Sequence, residues 1–212
     1  MGDGLRERKK RETREAISEV ATRLFFERGF DAVTVDDVAR AAGVSKMTVF
    51  NYFARKEDLL FDREAEALEL LRSVLARRGQ KSPLTVLREE VRRLVAADYI
   101  FMKFDADVLG FWRLVDASPT LRARLREVAD EARAMIAPHF EGANGELVAG
   151  VVVAGWRAGY RAGLEAARRG KSSRRAAREL ERVLDATVAA AKAAMRAGGG
   201  RPRRPYAGAD GS

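Results

Sequence analysis

Between Thr34 and Lys56 the chain gathers side chains suited to holding a polyanion and reading its edges. Thr34, Ser45, Lys46, Thr48, Asn51, Tyr52 and Lys56 supply hydrogen-bonding or cationic groups, interleaved with Met47, Val49, Phe50 and Phe53. If Lys46 to Tyr52 is a helix, Val49 and Phe53, four apart, turn inward. Lys46, Met47, Thr48, Phe50, Asn51 and Tyr52 are then left facing outward. A lysine ammonium there reaches guanine O6 or N7, and threonine contacts base edges or a thymine methyl. Lys56 lies where a phosphate can be gripped. This is the chemistry of recognition, with no bond made or broken.

The elements that must position these groups are legible around them. Thr34 is a good N-cap, and Asp37, three residues on, can reach back as a shortened capping box. Val38, Ala39 and Ala42 give that helix a small apolar face. Gly43 permits a tight turn, Val44 plugs the angle between two helices, and Ser45 caps the next helix, whose amides then lie near a phosphate. Two short helices joined by Ala42-Gly43-Val44-Ser45 form a helix-turn-helix signal, with the second helix facing a major groove. Upstream, Ile17, Val20, Ala21, Leu24 and Phe25 mark one face of a helix from Arg6 to Arg28, which Gly29 ends. Its basic start carries Arg6, Arg8, Lys9, Lys10, Arg11 and Arg14 against Glu7 and Glu12. That arm lies against phosphates in one reading and only solubilises the chain in the other.

The run Leu24-Phe25, Gly29-Phe30, Thr34 to Ala39, Ala42 to Phe53 and Lys56-Glu57-Asp58-Leu59 resembles the TetR family of regulators. The resemblance implies a homodimer that binds a palindromic operator in double-stranded DNA and releases it when a small ligand enters a second domain. Repression is the family's usual mode, and the expected location, which suits a chain without cysteine, is cytoplasmic. By position, Thr34, Ser45, Phe50, Tyr52 and Lys56 correspond to backbone contacts, and Lys46, Met47 and Thr48 to base readers. The chain departs from the family at two places. Position 50 is usually Tyr, and Phe50 lacks the hydroxyl that can bond a phosphate. Position 52 is often His, and Tyr52 keeps a donor without the possible charge.

The rest of the 212 residues reads as helix without strands. The expected fold class is therefore all-α, with about nine helices. The expected division is a DNA-binding domain over 1–56, a helical ligand-binding and dimerisation domain over 57–197, and a disordered Gly-, Pro- and Arg-rich tail over 198–212. One helix is expected from about Lys56 to Arg78, and another within 101–116. A net charge of +9 suits a polyanionic partner, and 47% hydrophobic residues suffice for a core. The chain has no cysteine, which excludes disulfides and thiolate chemistry and fits a reducing compartment. Met1 to Arg14 lacks the apolar stretch of a signal peptide, and Leu147 to Trp156 is too short to span a bilayer, so no membrane role is expected.

Phe101, Phe104, Phe111, Trp112, Trp156 and Tyr160 are candidates to line a pocket for an apolar or amphipathic effector, or else plain core. Met102 accompanies them, and Arg113, Asp105 and Asp107 are candidates to orient a polar ligand. Gly155, Gly159 and Gly163 recur every four residues, and Leu180, Leu184 and Val188 form a stripe on the last helix. Both are candidates for a subunit interface, or for close packing within one chain. An enzyme is disfavoured. His139 is the one histidine, no Gly-rich phosphate loop follows a strand, and no metal spacing or cofactor motif stands out. The other readings are a ligand-independent regulator or activator and, more distantly, a helical protein-interaction module.

Overall fold

The computed structural model describes residues 2–141 and 144–197, apart from the side chains of Gly2, Asp3, Phe101 and Ala197. The expected tail over 198–212 lies outside these residues. The described chain is all-α: α1 (Gly2–Arg28), α2 (Val35–Ala41), α3 (Lys46–Tyr52), α4 (Glu64–Ala76), α5 (Pro83–Ala96), α6 (Ala106–Ala117), α7 (Pro119–Ile136), α8 (Asn144–Arg168) and α9 (Ser173–Ala197). Short 3-10 turns occur at Glu57–Leu59, Ile100–Met102 and Ala137–His139.

Two expected helices are corrected. The helix expected from Lys56 to Arg78 is broken into the turn Glu57–Leu59 and α4. Leu59 and Leu60, adjacent in sequence, are both buried in one core. The turn is capped by the Asp58 carboxylate, which accepts the Arg55 amide at 3.1 Å. The segment 101–116 likewise resolves into the turn Ile100–Met102 and α6, separated by an extended stretch that buries Phe104. Asp105 caps α6 by accepting the Val108 amide at 3.0 Å. α1 begins at Gly2, earlier than Arg6, so the basic arm is the first turns of that helix.

The chain divides into two compact units. The first comprises residues up to Ala65 together with Gly110–Leu125. Its core joins Ile17, Ala21, Leu24 and Phe25 of α1 to Val38 and Ala39 of α2 and Val49 of α3. Phe53, Leu59, Leu60, Val115 and Leu121 complete that core, which therefore continues past the expected boundary at residue 56. The second unit comprises Glu66–Leu109 and the chain from Arg126 onward. There α8 and α9 pack along their length, and Leu75, Leu84, Ile136, Phe140, Val148, Ala149 and Ala191 form a core. Ser82 caps α5 by accepting the Thr85 amide at 3.2 Å, with Pro83 at the first helical position, where its missing N–H costs nothing.

Candidate nucleic-acid interface

The helix-turn-helix is built as its residue types dictate. The Thr34 hydroxyl accepts the Asp37 amide at 3.1 Å, and the Asp37 carboxylate accepts the Thr34 amide at 2.9 Å and its hydroxyl at 2.6 Å. These donors hold the Asp37 carboxyl below the usual carboxylate range. α2 ends at Ala41 with Ala42 as its C-cap, and Gly43 turns the chain with φ +67°, a conformation that a side chain would strain. The Val44 amide returns to the Ala39 carbonyl at 3.0 Å, which seats Val44 against the core. Ser45 then caps α3 by accepting the Thr48 amide at 3.0 Å.

On α3, Val49 and Phe53 are 1% and 2% exposed, whereas Met47 and Phe50 are 69% and 43% exposed. Lys46 and Asn51 are also exposed, and Thr48 is half-buried with its hydroxyl 2.8 Å from that of Ser45. Lys46 Nζ lies 2.9 Å from Asp36 of α2, both side chains being half-exposed. Solvent screening leaves such a pair weak and exchangeable for a phosphate or a base edge. Tyr52 departs from the outward set, because it is half-buried and packs against the core.

Two cations expected to meet phosphates are turned inward. Lys56 Nζ donates to the Phe30 carbonyl at 2.6 Å and sits 4.2 Å above the Phe30 ring, and burial pushes its pKa down. Arg14 Nε bonds Asp62 at 2.6 Å, while Nη1 donates to the Tyr52 carbonyl at 2.5 Å. Its guanidinium also lies 4.3 Å over the Phe53 ring. Arg14 thus clamps the C-terminal end of α3 to α1. Sequence reasoning grouped Arg14 with the arm, although its position was a usable signal. It falls three residues before Ile17 and seven before Ala21, on the apolar stripe itself. Of the remaining arm, Arg8 and Arg11 pair with Glu12 and Glu15, leaving Arg6, Lys9 and Lys10 exposed without an ion pair among the described residues.

Sequence reasoning also missed the polar ties that join the first turns of α7 to this unit. Arg124 lies 3.3 Å from Asp58 and 2.8 Å from Glu64, and the buried Ser118 donates to Asp31 at 3.0 Å. These partners are tens of residues apart, so no local pattern announces them.

The six pocket candidates are not one group. Phe111 and Trp112 belong to the first unit, where Phe111 packs at 5.7 Å from Phe61 and 5.6 Å from Trp112. Phe104, Tyr160 and Trp156 belong to the second, with ring centroids 5.1 Å and 6.2 Å apart along the series. The Phe101 side chain lies outside the described residues. The glycine series is used within the chain. A β-carbon at Gly155 would meet Thr187 at 2.1 Å, at Gly159 the Leu180 carbonyl at 3.1 Å, and at Gly163 the Phe104 ring at 2.4 Å. Leu180 is buried, and Leu184 and Val188 are half-buried. Among the described residues no cluster of His, Asp or Glu could hold a metal, and no helix is long and apolar enough to cross a membrane.

Residues 17–62 match the family described as bacterial regulatory proteins, tetR family. Over 140 residues the chain is 29% identical to the HTH-type transcriptional regulator TcmR of Streptomyces glaucescens, covering 64% of this chain and 62% of that one. Over 101 residues it is 32% identical to the HTH-type transcriptional regulator BetI of Rhizobium meliloti, covering 47% and 48%. The chain thus spans between about half and three fifths of the length of these relatives. Among solved structures, the SmeT–triclosan complex shares the fold with a TM-score of 0.57 at 19% identity, covering 84% of this chain and 91% of that one.

Proposed function

We propose that the chain is a regulator of the TetR family, on the match of residues 17–62 to that family and the likeness to TcmR, and that it is a homodimeric repressor of transcription. It binds a palindromic operator and releases it when a small molecule enters the second unit. Its relatives and its fold are those of regulators rather than enzymes. The observation that carries the reading is the two-sidedness of α3. Val49 and Phe53 anchor it in the core, while Lys46, Met47, Phe50 and Asn51 face solvent behind a turn that needs Gly43. A helix so held presents base-reading side chains to a major groove.

In this reading Lys46, Met47 and Thr48 contact bases. Thr34, Ser45, Phe50, Asn51, Tyr52 and Lys56 lie along the backbone, with Phe50 making an apolar contact where a tyrosine would bond phosphate. Lys56 must leave the Phe30 carbonyl to reach a phosphate, an exchange its half-buried position permits. Two such helices must reach grooves about 34 Å apart, which a symmetric dimer provides. Support for the dimer is the exposed small-residue face formed by Ala154 and Ala158 on α8 with Ala186, Ala189, Ala190 and Ala193 on α9. Support for a ligand is the aromatic series Phe104, Tyr160 and Trp156, together with the named complex of SmeT with triclosan. Phe111 and Trp112 pack, partly buried, against the first unit's core.

Selection of bound sequences from a random duplex pool tests this function. The expected result is a palindrome whose enrichment disappears with Lys46→Ala. Recovery of the same palindrome by that variant, or of no duplex by the wild type at low salt, overturns it.

A further inference from the structure

The strongest concentration of charge lies outside the helix-turn-helix. Residues 157–182, the end of α8 and the start of α9, carry nine Arg or Lys against three Glu, a net of +6 in a chain of +9. All nine cations are exposed. Two of the three carboxylates there are already engaged. Glu165 lies 3.8 Å from Arg169, and Glu179 lies 3.0 Å from Lys171 and 3.1 Å from Arg182. Arg157, Arg161, Arg174, Arg175 and Arg178 make no ion pair with another described residue. Arg157 and Arg161, and Arg174 and Arg178, are four apart on their helices, a like-charge spacing that disfavours the helix by itself. The arrangement is therefore not explained by the stability of α8 and α9.

We infer that this basic turn is a second contact surface for the phosphate backbone of duplex DNA, additional to the helix-turn-helix and without reading sequence. The inference rests on the DNA-binding function proposed above. Eight of the nine cations are arginines, whose planar guanidinium forks onto phosphate oxygens. No large hydrophobic residue is exposed between 157 and 182. Protein hot spots usually add an aromatic anchor to arginine, and amphipathic membrane contacts insert apolar residues. A backbone of regularly spaced phosphates needs neither. Within the second unit the turn is fixed by Ser173, whose hydroxyl accepts the Phe104 amide at 3.0 Å.

The test is a salt series on a random-sequence duplex several helical turns long. It compares the full-length wild type with a variant carrying Gln at Arg157, Arg161, Arg174, Arg175 and Arg178. A control variant carries Gln at five exposed cations elsewhere in the second unit, namely Arg72, Arg77, Lys81, Lys192 and Arg196. Each lost phosphate contact flattens the slope of log affinity against log salt by about 0.9, so the first variant should be shallower by roughly 3 or more and the control by less than about 1. Helical content and melting temperature, measured alongside, exclude unfolding as the cause. Equal slopes for the two variants, with the wild type binding DNA, overturn this inference and leave the DNA-binding function standing. Failure of the wild type to bind any duplex at low salt overturns that function as well. Loss of binding to polyglutamate with an unchanged DNA slope assigns the surface to an acidic protein and overturns the inference.

Discussion

Arg14→Gln separates two roles that a basic residue near DNA can play. As a phosphate contact, Arg14 adds about 0.9 to the salt slope and little to stability. As a clamp, it holds the Tyr52 carbonyl, the Asp62 carboxylate and the Phe53 ring together, and adds nothing to the slope. Hydrogen bonds to a charged group contribute about 1.5–3 kcal/mol, and a cation over an exposed ring about 0.5–1 kcal/mol. The Arg14 and Asp62 side chains are 36% and 17% exposed, so water screens and partly replaces these partners. A net loss of about 2 kcal/mol is the reasoned value for Arg14→Gln, a fall of about 4–8 °C in melting temperature for a chain of this size. Arg14→Lys should lose most of the same stability, because a point charge cannot serve an amide carbonyl, a carboxylate and an aromatic face at once. The assays are thermal unfolding followed by circular dichroism and a salt series with duplex DNA. Unchanged melting with a slope shallower by about 1 refutes the clamp and returns Arg14 to the arm.

The remaining predictions probe other points of the fold. Thr34→Ala removes the N-cap of α2 and should cost about 1 kcal/mol in chemical denaturation; no change in the midpoint argues that the capping box is idle. The Asp37 carboxyl is held low in the folded chain, so its stabilisation is present above the ordinary carboxylate range and fades as pH falls through the lower folded value. Asp37→Asn should accordingly flatten the acid limb of stability against pH, and an unaltered limb contradicts the assignment. Asp36→Asn frees Lys46 from its pair and removes a negative charge beside the groove, so affinity for random duplex should rise a few-fold, with weaker binding as the contrary result. Gly163→Ala places a methyl where the Phe104 ring stands and should destabilise the second unit by about 1–3 kcal/mol, read by calorimetry. An unchanged melting curve together with a changed sedimentation mass would assign that glycine to a subunit interface instead.

Much of the first unit was legible because its signals are local. Thr34 with Asp37, Gly43 and Ser45 each act within four residues, and α3 occupies the span its periodicity predicts, Lys46–Tyr52. Val49 and Phe53 turn inward because a four-residue spacing puts them on one face, whatever lies beneath. The helical layout of the second unit was legible for the same reason.

Pairings across long separations were decided only by tertiary structure. The sequence makes Arg14 a cation among cations, and only the folded chain brings Asp62 and Tyr52 within its reach. The glycine spacing establishes that something comes close to α8, while the fold supplies Thr187, Leu180 and Phe104 of the same chain. The aromatic residues establish apolar mass, while the fold divides it between two units. The sequence by itself determined how α3 is built and which face it shows. The tertiary structure decided that its far end is held by Arg14 and that Lys56 rests on a carbonyl. Periodicity and capping are properties of neighbours along the chain, whereas these contacts exist only after distant segments have been brought together.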